Sequence, residues 1–183
     1  HPVGKLRYRT YISNRVLATL APNLTLAHSR NDILDTAQNM MMFSGSGSAL
    51  VFFGDGWSVH FAASWQLSPA KLLPADLLFQ IGGPTSVRGY QSGTFAGDSG
   101  YFANIELHRN FDLVRGLDFF AFFDAGSVFA TSSAERSLYA SGVGGVLHLT
   151  QNIGLSTSIG MPIKTVVPGE KGYQLYIQLA ASF

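Results

Sequence analysis

One arginine and two carboxylates are the residues of this chain best suited to specific polar chemistry. Arg88 lies in the segment IGGPTSVRGYQSGTFAGDSG, residues 81–100, and Glu106 and Asp124 follow it. A guanidinium presents its N–H donors in a planar fork that matches a carboxylate with two parallel hydrogen bonds. One arginine placed between two carboxylates also reduces the repulsion between them. These residue types therefore predict an ion-pair cluster if the fold brings them together.

Other side chains that could do chemistry lack the necessary arrangement. His60 stands near Ser58 and Ser64, but no nucleophile elbow accompanies it, so we interpret it as a pore-lining residue. No metal-ligand spacing relates His28, His108 and His148. The glycine-rich segment lacks the spacing and lysine of a phosphate-binding loop. We expect no enzyme activity, no cofactor and no metal.

The elements that must position these residues have a period of two. The last segment alternates apolar residues on one face with Gln174, Tyr176, Gln178, Ala180 and Ser182 on the other. Such alternation over about ten residues is typical of a strand with lipid on one side and a polar lumen on the other. Its apolar face consists of Tyr173, Leu175, Ile177, Leu179, Ala181 and Phe183.

The same alternation recurs along the whole chain and predicts about nine strands. Pro22 lies inside one of them and cannot donate to a ladder, so we expect a bulge or bend there. The strongest patterns cover 57–68, 101–110, 117–126, 153–161 and 173–183, and the weaker ones cover 5–12, 16–29, 40–53 and 136–149.

Composition favours a membrane protein that crosses the bilayer with strands. Charged residues make up 13% of the chain, against about 25% in an ordinary soluble domain. No apolar run approaches the ~20 residues that a spanning helix requires. The remaining lipid-compatible solution is a closed antiparallel β-barrel, because it satisfies every backbone polar group internally. A net charge of +1 argues against a nucleic-acid-binding surface.

The predicted connections alternate between short and long. This alternation is typical of outer-membrane barrels, which place short turns in the periplasm and long loops outside. Nine strands would leave open edges in lipid, so we expect the chain to be the C-terminal part of a larger barrel. The short turns are at 13–15, 54–56, 111–116 and 150–152, and the long loops are at 30–39, 69–100, 130–136 and 164–172.

The predicted strands orient the two carboxylates. Glu106 and Asp124 lie on the polar faces of neighbouring strands, so both point towards the lumen. Arg88 lies in the longest loop, beside Gly89 and Gly93, which suit a compact turn. A loop that folds inwards would bring the guanidinium to both carboxylates.

Three motifs in this order resemble one known family. They are GGPTSVRGY at 82–90, GDSG at 97–100 and FFDAGSV at 122–128. The chain resembles the two-partner secretion transporters, called the TpsB or haemolysin secretion/activation family, within the superfamily that includes the barrel-assembly insertase. The resemblance covers most of residues 57–183 and implies a barrel of about 16 strands, with loop 69–100 folded into the lumen.

The resemblance also implies roles for individual residues. The VRGY motif at the loop tip comprises Val87, Arg88, Gly89 and Tyr90, and the implied partners of Arg88 are Asp124 and Glu106. Phe183, a terminal aromatic residue, is similar to the signal by which such barrels are recognised for assembly. The supporting glycines are Gly82, Gly83, Gly97, Gly100 and Gly126.

The function that the resemblance implies is transport, without catalysis, across the bacterial outer membrane. The expected partners are a secreted exoprotein of haemolysin or adhesin type, outer-membrane lipid and the barrel-assembly machinery. The alternatives are an insertase of the same superfamily, the anchor barrel of a patatin-type lipase, and a diffusion porin. Upstream domains distinguish a secretion transporter from an insertase and from a lipase anchor. Two POTRA domains and a plug helix indicate secretion, more POTRA domains indicate an insertase, and a patatin domain indicates a lipase.

Overall fold

The fold is all-β in the computed structural model. The structure describes residues 3–5, 7–13, 15–31, 36–69, 72–111, 116–130, 133–150, 152–166, 169 and 172–181. Within these ranges, no helix has the length and apolar character needed to cross a membrane.

Within the described residues, ten strands form one antiparallel sheet, and two short strands form a second. In the large sheet the order is β1-β3-β4-β5-β8-β9-β10-β11-β12, and β2 also pairs with β3. Each long strand therefore pairs with the next long strand along the chain. The strands are β1 Val3–Lys5, β2 Tyr8–Ser13, β3 Val16–Asn31, β4 Thr36–Phe52, β5 Trp57–Leu67, β6 Phe79–Ile81, β7 Phe95–Gly97, β8 Ser99–Phe111, β9 Leu117–Ala130, β10 Ser133–His148, β11 Ile153–Pro162 and β12 Gln174–Ala181.

The two faces of the sheet differ as the alternation predicts. On β9, Phe119 and Phe123 are exposed, whereas Phe122 and Asp124 on the opposite face are buried. On β12, Leu175 and the alternating residues that follow it lie on the exposed face. The apolar face is thus left open along the sheet, and the polar face carries the loop described below. We call the latter the loop-covered face.

The strands extend further than the hydrophobic alternation indicates. Residues 30–39 and 130–136 were expected to be long loops, but β3 and β4 pair as far as Asn31 and Thr36. Likewise β9 and β10 pair as far as Ala130 and Ser133. Apolar alternation marks only the length of strand in contact with lipid, about 9–11 residues. Backbone pairing continues beyond that length on both strand pairs, so the alternation alone placed the strand ends too early.

The expected bulge at Pro22 is not in the β3–β4 ladder, where Pro22 pairs with Gly45 in unbroken register. The interruption lies on the other side of β3. There β1 ends opposite Asn23 and β2 begins opposite Leu20. Pro22 thus lies at a break between two strands, where a missing donor costs no ladder hydrogen bond.

Loop 69–100 contains regular structure that the sequence did not predict. A short 3-10 turn spans Ala75–Leu77, and β6 pairs with β7. The loop packs onto β9 and β10 through a buried apolar cluster, and Leu73 packs onto β4 through another. The first cluster contains Ile81, Val87, Tyr90, Val128, Leu138 and Ala140.

The large sheet is open in this chain. Its order runs from β1 at one end to β12 at the other, and among the described residues β12 pairs with β11 alone. An antiparallel sheet with two unpaired edges exposes backbone donors and acceptors, which lipid cannot satisfy.

Candidate functional site

The tip of loop 69–100 is a compact turn that directs Arg88 onto the sheet. The Gly83 N–H donates to the Val87 carbonyl at 3.2 Å, and the Ser86 N–H donates to the Gly83 carbonyl at 3.3 Å. The Ser86 hydroxyl also accepts from the Gly82 N–H and donates to the Gly82 carbonyl, at 2.9 and 3.1 Å. These bonds make the turn rigid, so that the next residue projects towards the loop-covered face.

Arg88 binds Asp124 through three hydrogen bonds. Its Nε and Nη2 donate to the two carboxylate oxygens at 2.8 and 2.7 Å, which is the bidentate geometry. Its backbone N–H donates to Asp124 Oδ2 at 2.9 Å. The Asp124 side chain is 0% exposed and that of Arg88 is 10% exposed. Asp124 therefore binds both the guanidinium of Arg88 and its backbone N–H at the loop tip.

Glu106 is the second partner of Arg88. Arg88 Nη1 donates to Glu106 Oε1 at 2.5 Å. The other oxygen of Glu106 pairs with His108 Nε2 at 2.9 Å, and His108 Nδ1 pairs with Asp118 Oδ2 at 2.7 Å. We refer to Arg88, Glu106 and Asp124 as the Arg88 cluster. A guanidinium is cationic at any physiological pH, so the cluster carries one cation between two carboxylates.

Two further residues complete the surroundings of Arg88. Asn104 Nδ2 donates to Asp124 Oδ1 at 2.7 Å and to the Ser86 carbonyl at 2.5 Å. Asn104 thus links the loop to the sheet and orients the carboxylate. The Arg88 Cζ lies 3.6 Å from the ring centroid of Phe122, where the cation faces the π-system.

Tyr90 attaches the other side of the tip to the last strands by neutral hydrogen bonds. Its hydroxyl lies 3.0 Å from the Tyr139 carbonyl and 2.8 Å from the Lys164 carbonyl, and it donates to this pair. The Tyr176 hydroxyl on β12 donates to the Tyr90 carbonyl at 3.0 Å. The tip therefore contacts β8 and β9 through charge and β10 to β12 through neutral groups.

Glycines at the contact allow the loop tip to approach β11 closely. A Cβ at Gly160 would lie 2.6 Å from the Gly89 nitrogen and 2.9 Å from the Arg88 carbonyl carbon, so only glycine fits there. Gly89 itself has a φ of 101°, which favours glycine. A Cβ would come within 3.1 Å or less of another atom at each supporting glycine predicted from the sequence, namely Gly82, Gly83, Gly97, Gly100 and Gly126.

The structure brings together Arg88, Glu106 and Asp124, and it places Val87 and Tyr90 in the apolar cluster beneath the loop. Phe183 lies outside the described residues. The sequence reasoning did not assign roles to Asn104 or Gly160. Asn104 precedes Glu106 by two residues on the same predicted polar face, which is a signal that could have identified it.

Residues 15–147 match the family described as haemolysin secretion/activation protein ShlB/FhaC/HecB, and this match covers more than half of the chain. The chain belongs to this family. The resemblance to the two-partner secretion transporters is thereby confirmed, and this is a secretion family and not an enzyme family. No curated protein matches the chain.

A solved structure agrees with the fold. CdiB from Acinetobacter baumannii superimposes with a TM-score of 0.73 at 21% sequence identity, over 97% of this chain and 32% of CdiB. The chain thus spans about a third of the length of CdiB. The predicted fold class, an antiparallel β-barrel portion, is confirmed by this similarity.

Proposed function

We propose that this chain forms part of an outer-membrane barrel that moves a partner exoprotein across the bacterial outer membrane, with loop 69–100 controlling passage. Family membership supports protein secretion as the activity. The single observation that carries the role of the loop is the Arg88 cluster, which holds the tip on the polar face of the sheet. In a closed barrel this face lines the lumen, so a bound tip would obstruct the path of the cargo.

The geometry favours a movable loop over a permanent plug. The tip is attached by polar bonds around Arg88 and Tyr90 and by the apolar cluster of Val87 and Tyr90, and none of its described contacts is covalent. Glu106 remains 22% exposed, so water reaches the cluster from one side. A hydrated ion pair is weaker than a dry one and exchanges more readily.

A reversible cross-link tests whether the loop has to move. A Cβ at position 126 would lie 3.1 Å from Val87 Cγ2, which places the sulfur atoms of Val87→Cys and Gly126→Cys within reach of a disulfide. The same Cβ would lie 3.1 Å from Phe102 Cβ, so Phe102 must shift slightly to accommodate it. The chain has no cysteine of its own, so no other thiol of this sequence competes. We expect the oxidised double variant to assemble but not to export the exoprotein, and reductant to restore export. Each single cysteine variant is the control, and normal export by the oxidised double variant would refute the proposal.

Deletion of the gene tests the transport activity itself. We expect the exoprotein encoded beside it to disappear from the medium while other outer-membrane barrels remain at their normal level. A general loss of outer-membrane barrels would support the insertase alternative instead. Unchanged export of the neighbouring exoprotein would contradict the proposal, and normal levels of the other outer-membrane barrels would contradict the insertase alternative.

A further inference from the structure

Three side chains on adjacent strands form a second cluster on the loop-covered face. His60 on β5 is the direct register partner of Glu106 on β8, and His108 follows Glu106 by two residues on the same face. One ligand atom from each lies within 4.8 Å of the others. We propose that His60, Glu106 and His108 bind a divalent transition-metal ion, with Zn²⁺ as the best fit.

The donor set is that of a catalytic-type or regulatory zinc site. Two imidazole nitrogens and one carboxylate oxygen are ligands that Zn²⁺ takes in tetrahedral geometry, with the fourth position left to water. Bonds of ~2.1 Å at tetrahedral angles place ligand atoms ~3.4 Å apart. His108 Nε2 and Glu106 Oε2 are already 2.9 Å apart. Binding therefore requires mainly that the His60 ring leave its stacked position over the His108 ring, where the ring centroids are 3.8 Å apart, and turn a nitrogen towards these two atoms. His60 must also turn away from the Ser58 hydroxyl, which lies 3.2 Å from its Nε2.

The surroundings of His108 support a metal ligand. Asp118 Oδ2 lies 2.7 Å from His108 Nδ1 and fixes the ring with Nε2 directed at Glu106. A carboxylate on the far nitrogen of a histidine is the usual support for a metal ligand, because it sets the tautomer and raises basicity. When the ion binds, His108 Nε2 gives up its proton to solvent and its lone pair binds the metal.

The proposed site adjoins the Arg88 cluster without replacing it. Arg88 uses Glu106 Oε1, whereas the metal would take Oε2, which now faces His108. His60 also lines two cavities, of about 420 and 380 Å³. The larger includes Arg88 and Glu106 and the smaller includes Asp118. Ions in water can therefore reach the ligands.

Linear spacing gave no indication of this site. His60 and His108 are far apart in sequence, and no linear motif marks a set that is assembled across two strands. The register of β5 and β8 supplies the third ligand, because partners in an antiparallel pair have side chains on the same face.

The test is Zn²⁺ binding to the protein purified from outer membranes in detergent. We expect one Zn²⁺ per chain by calorimetry and elemental analysis, and Co²⁺ in its place should give the visible absorption of a tetrahedral site. His60→Ala and His108→Ala should each weaken binding at least about 100-fold, and Asp118→Asn about 10-fold, as expected for an outer-shell partner. His148→Ala is the matched control, since His148 is exposed and its ring Nδ1 lies 3.3 Å from the Gly116 carbonyl.

The alternative is that His108 serves only as an imidazolium between Glu106 and Asp118. In that case Zn²⁺ would not bind stoichiometrically, or His148→Ala would weaken binding as much as His60→Ala, and either result would overturn the proposal. Circular dichroism of each variant checks that the barrel is folded. Because the measurement is binding and not export, its failure leaves the proposed transport function intact.

Discussion

The two sides of the loop tip are attached to the sheet by different chemistry. Towards β8 and β9, Arg88 is bound by two carboxylates, one of them fully buried. Towards β10 to β12, Tyr90 and Tyr176 form neutral hydrogen bonds to carbonyl groups. A buried charge is strongly destabilising when its partner is removed, whereas a lost neutral bond costs little. The charged side should therefore determine whether the loop is held, and the neutral side should adjust how tightly.

The strongest test of this difference is Arg88→Ala. It leaves Asp124 buried without its cation, so we expect the bound loop to lose about 3 kcal/mol, the lower end of the ~3–5 kcal/mol range for broken buried pairs. Hydrogen exchange across residues 72–100 measures the loss, and export of the exoprotein should fall. The barrel itself should still assemble.

The control for that substitution is Arg109→Ala. Arg109 lies near Trp57 and donates to the Asp55 carbonyl, and none of its described contacts is a carboxylate. Equal loosening of the loop in both variants would contradict a specific role for Arg88. The double variant Arg88→Ala with Asp124→Ala should be little worse than either single variant, because both remove one interaction.

Gly160→Ala tests the neutral side by steric means. The new Cβ would press on the backbone of Arg88 and Gly89, and we expect about 2 kcal/mol of loop destabilisation, within the range for overpacking. Gly154→Ala on the same strand is a matched control, since the nearest described atom to a Cβ there would be His148 Cδ2, at 4.0 Å. If protease cleavage of the loop is the same in both variants, close approach at Gly160 is unimportant.

Glu106→Gln sharpens the comparison within the charged side. Glu106 accepts one hydrogen bond from Arg88, whereas Asp124 accepts three, and Glu106 is partly exposed. We expect the bound loop to lose about 1 kcal/mol of stability, which is less than Arg88→Ala costs, because solvent screens the exposed partner. Hydrogen exchange of the loop is again the measurement. A loss as large as that of Arg88→Ala would mean that the two carboxylates contribute equally.

The smallest effect should come from Tyr176→Phe. It removes one hydroxyl that donates to the Tyr90 carbonyl, and a neutral hydrogen bond contributes about 0.5–1.5 kcal/mol. Tyr101→Phe, on the exposed face of β8, is the control and should change nothing measurable. Tyr176→Phe should reduce loop protection slightly without abolishing export. Complete loss of export would mean that the neutral side contributes more to holding the loop than the charged side does.

Much of the sheet was predictable because its cause is local. A strand in contact with lipid on one face must alternate apolar and polar residues, so the strands around Ile177, Phe123 and Ile105 were apparent from the sequence. The same alternation placed Glu106 and Asp124 on one face, and this placement predicted their meeting with Arg88. Strand ends were less predictable, because backbone pairing continues to Asn31 and Ala130, past the segments that the alternation marked.

The sequence by itself determined the strand pattern, the face of each carboxylate and the family that the motifs resemble. Only the tertiary structure decided which groups touch across strands. Asn104 bonds Ser86 and Asp124, Gly160 lies beneath Gly89, and Tyr176 reaches Tyr90. The reason is physical: alternation sets the direction of a side chain, whereas register and the path of a long loop set its neighbours, and both depend on distant parts of the chain.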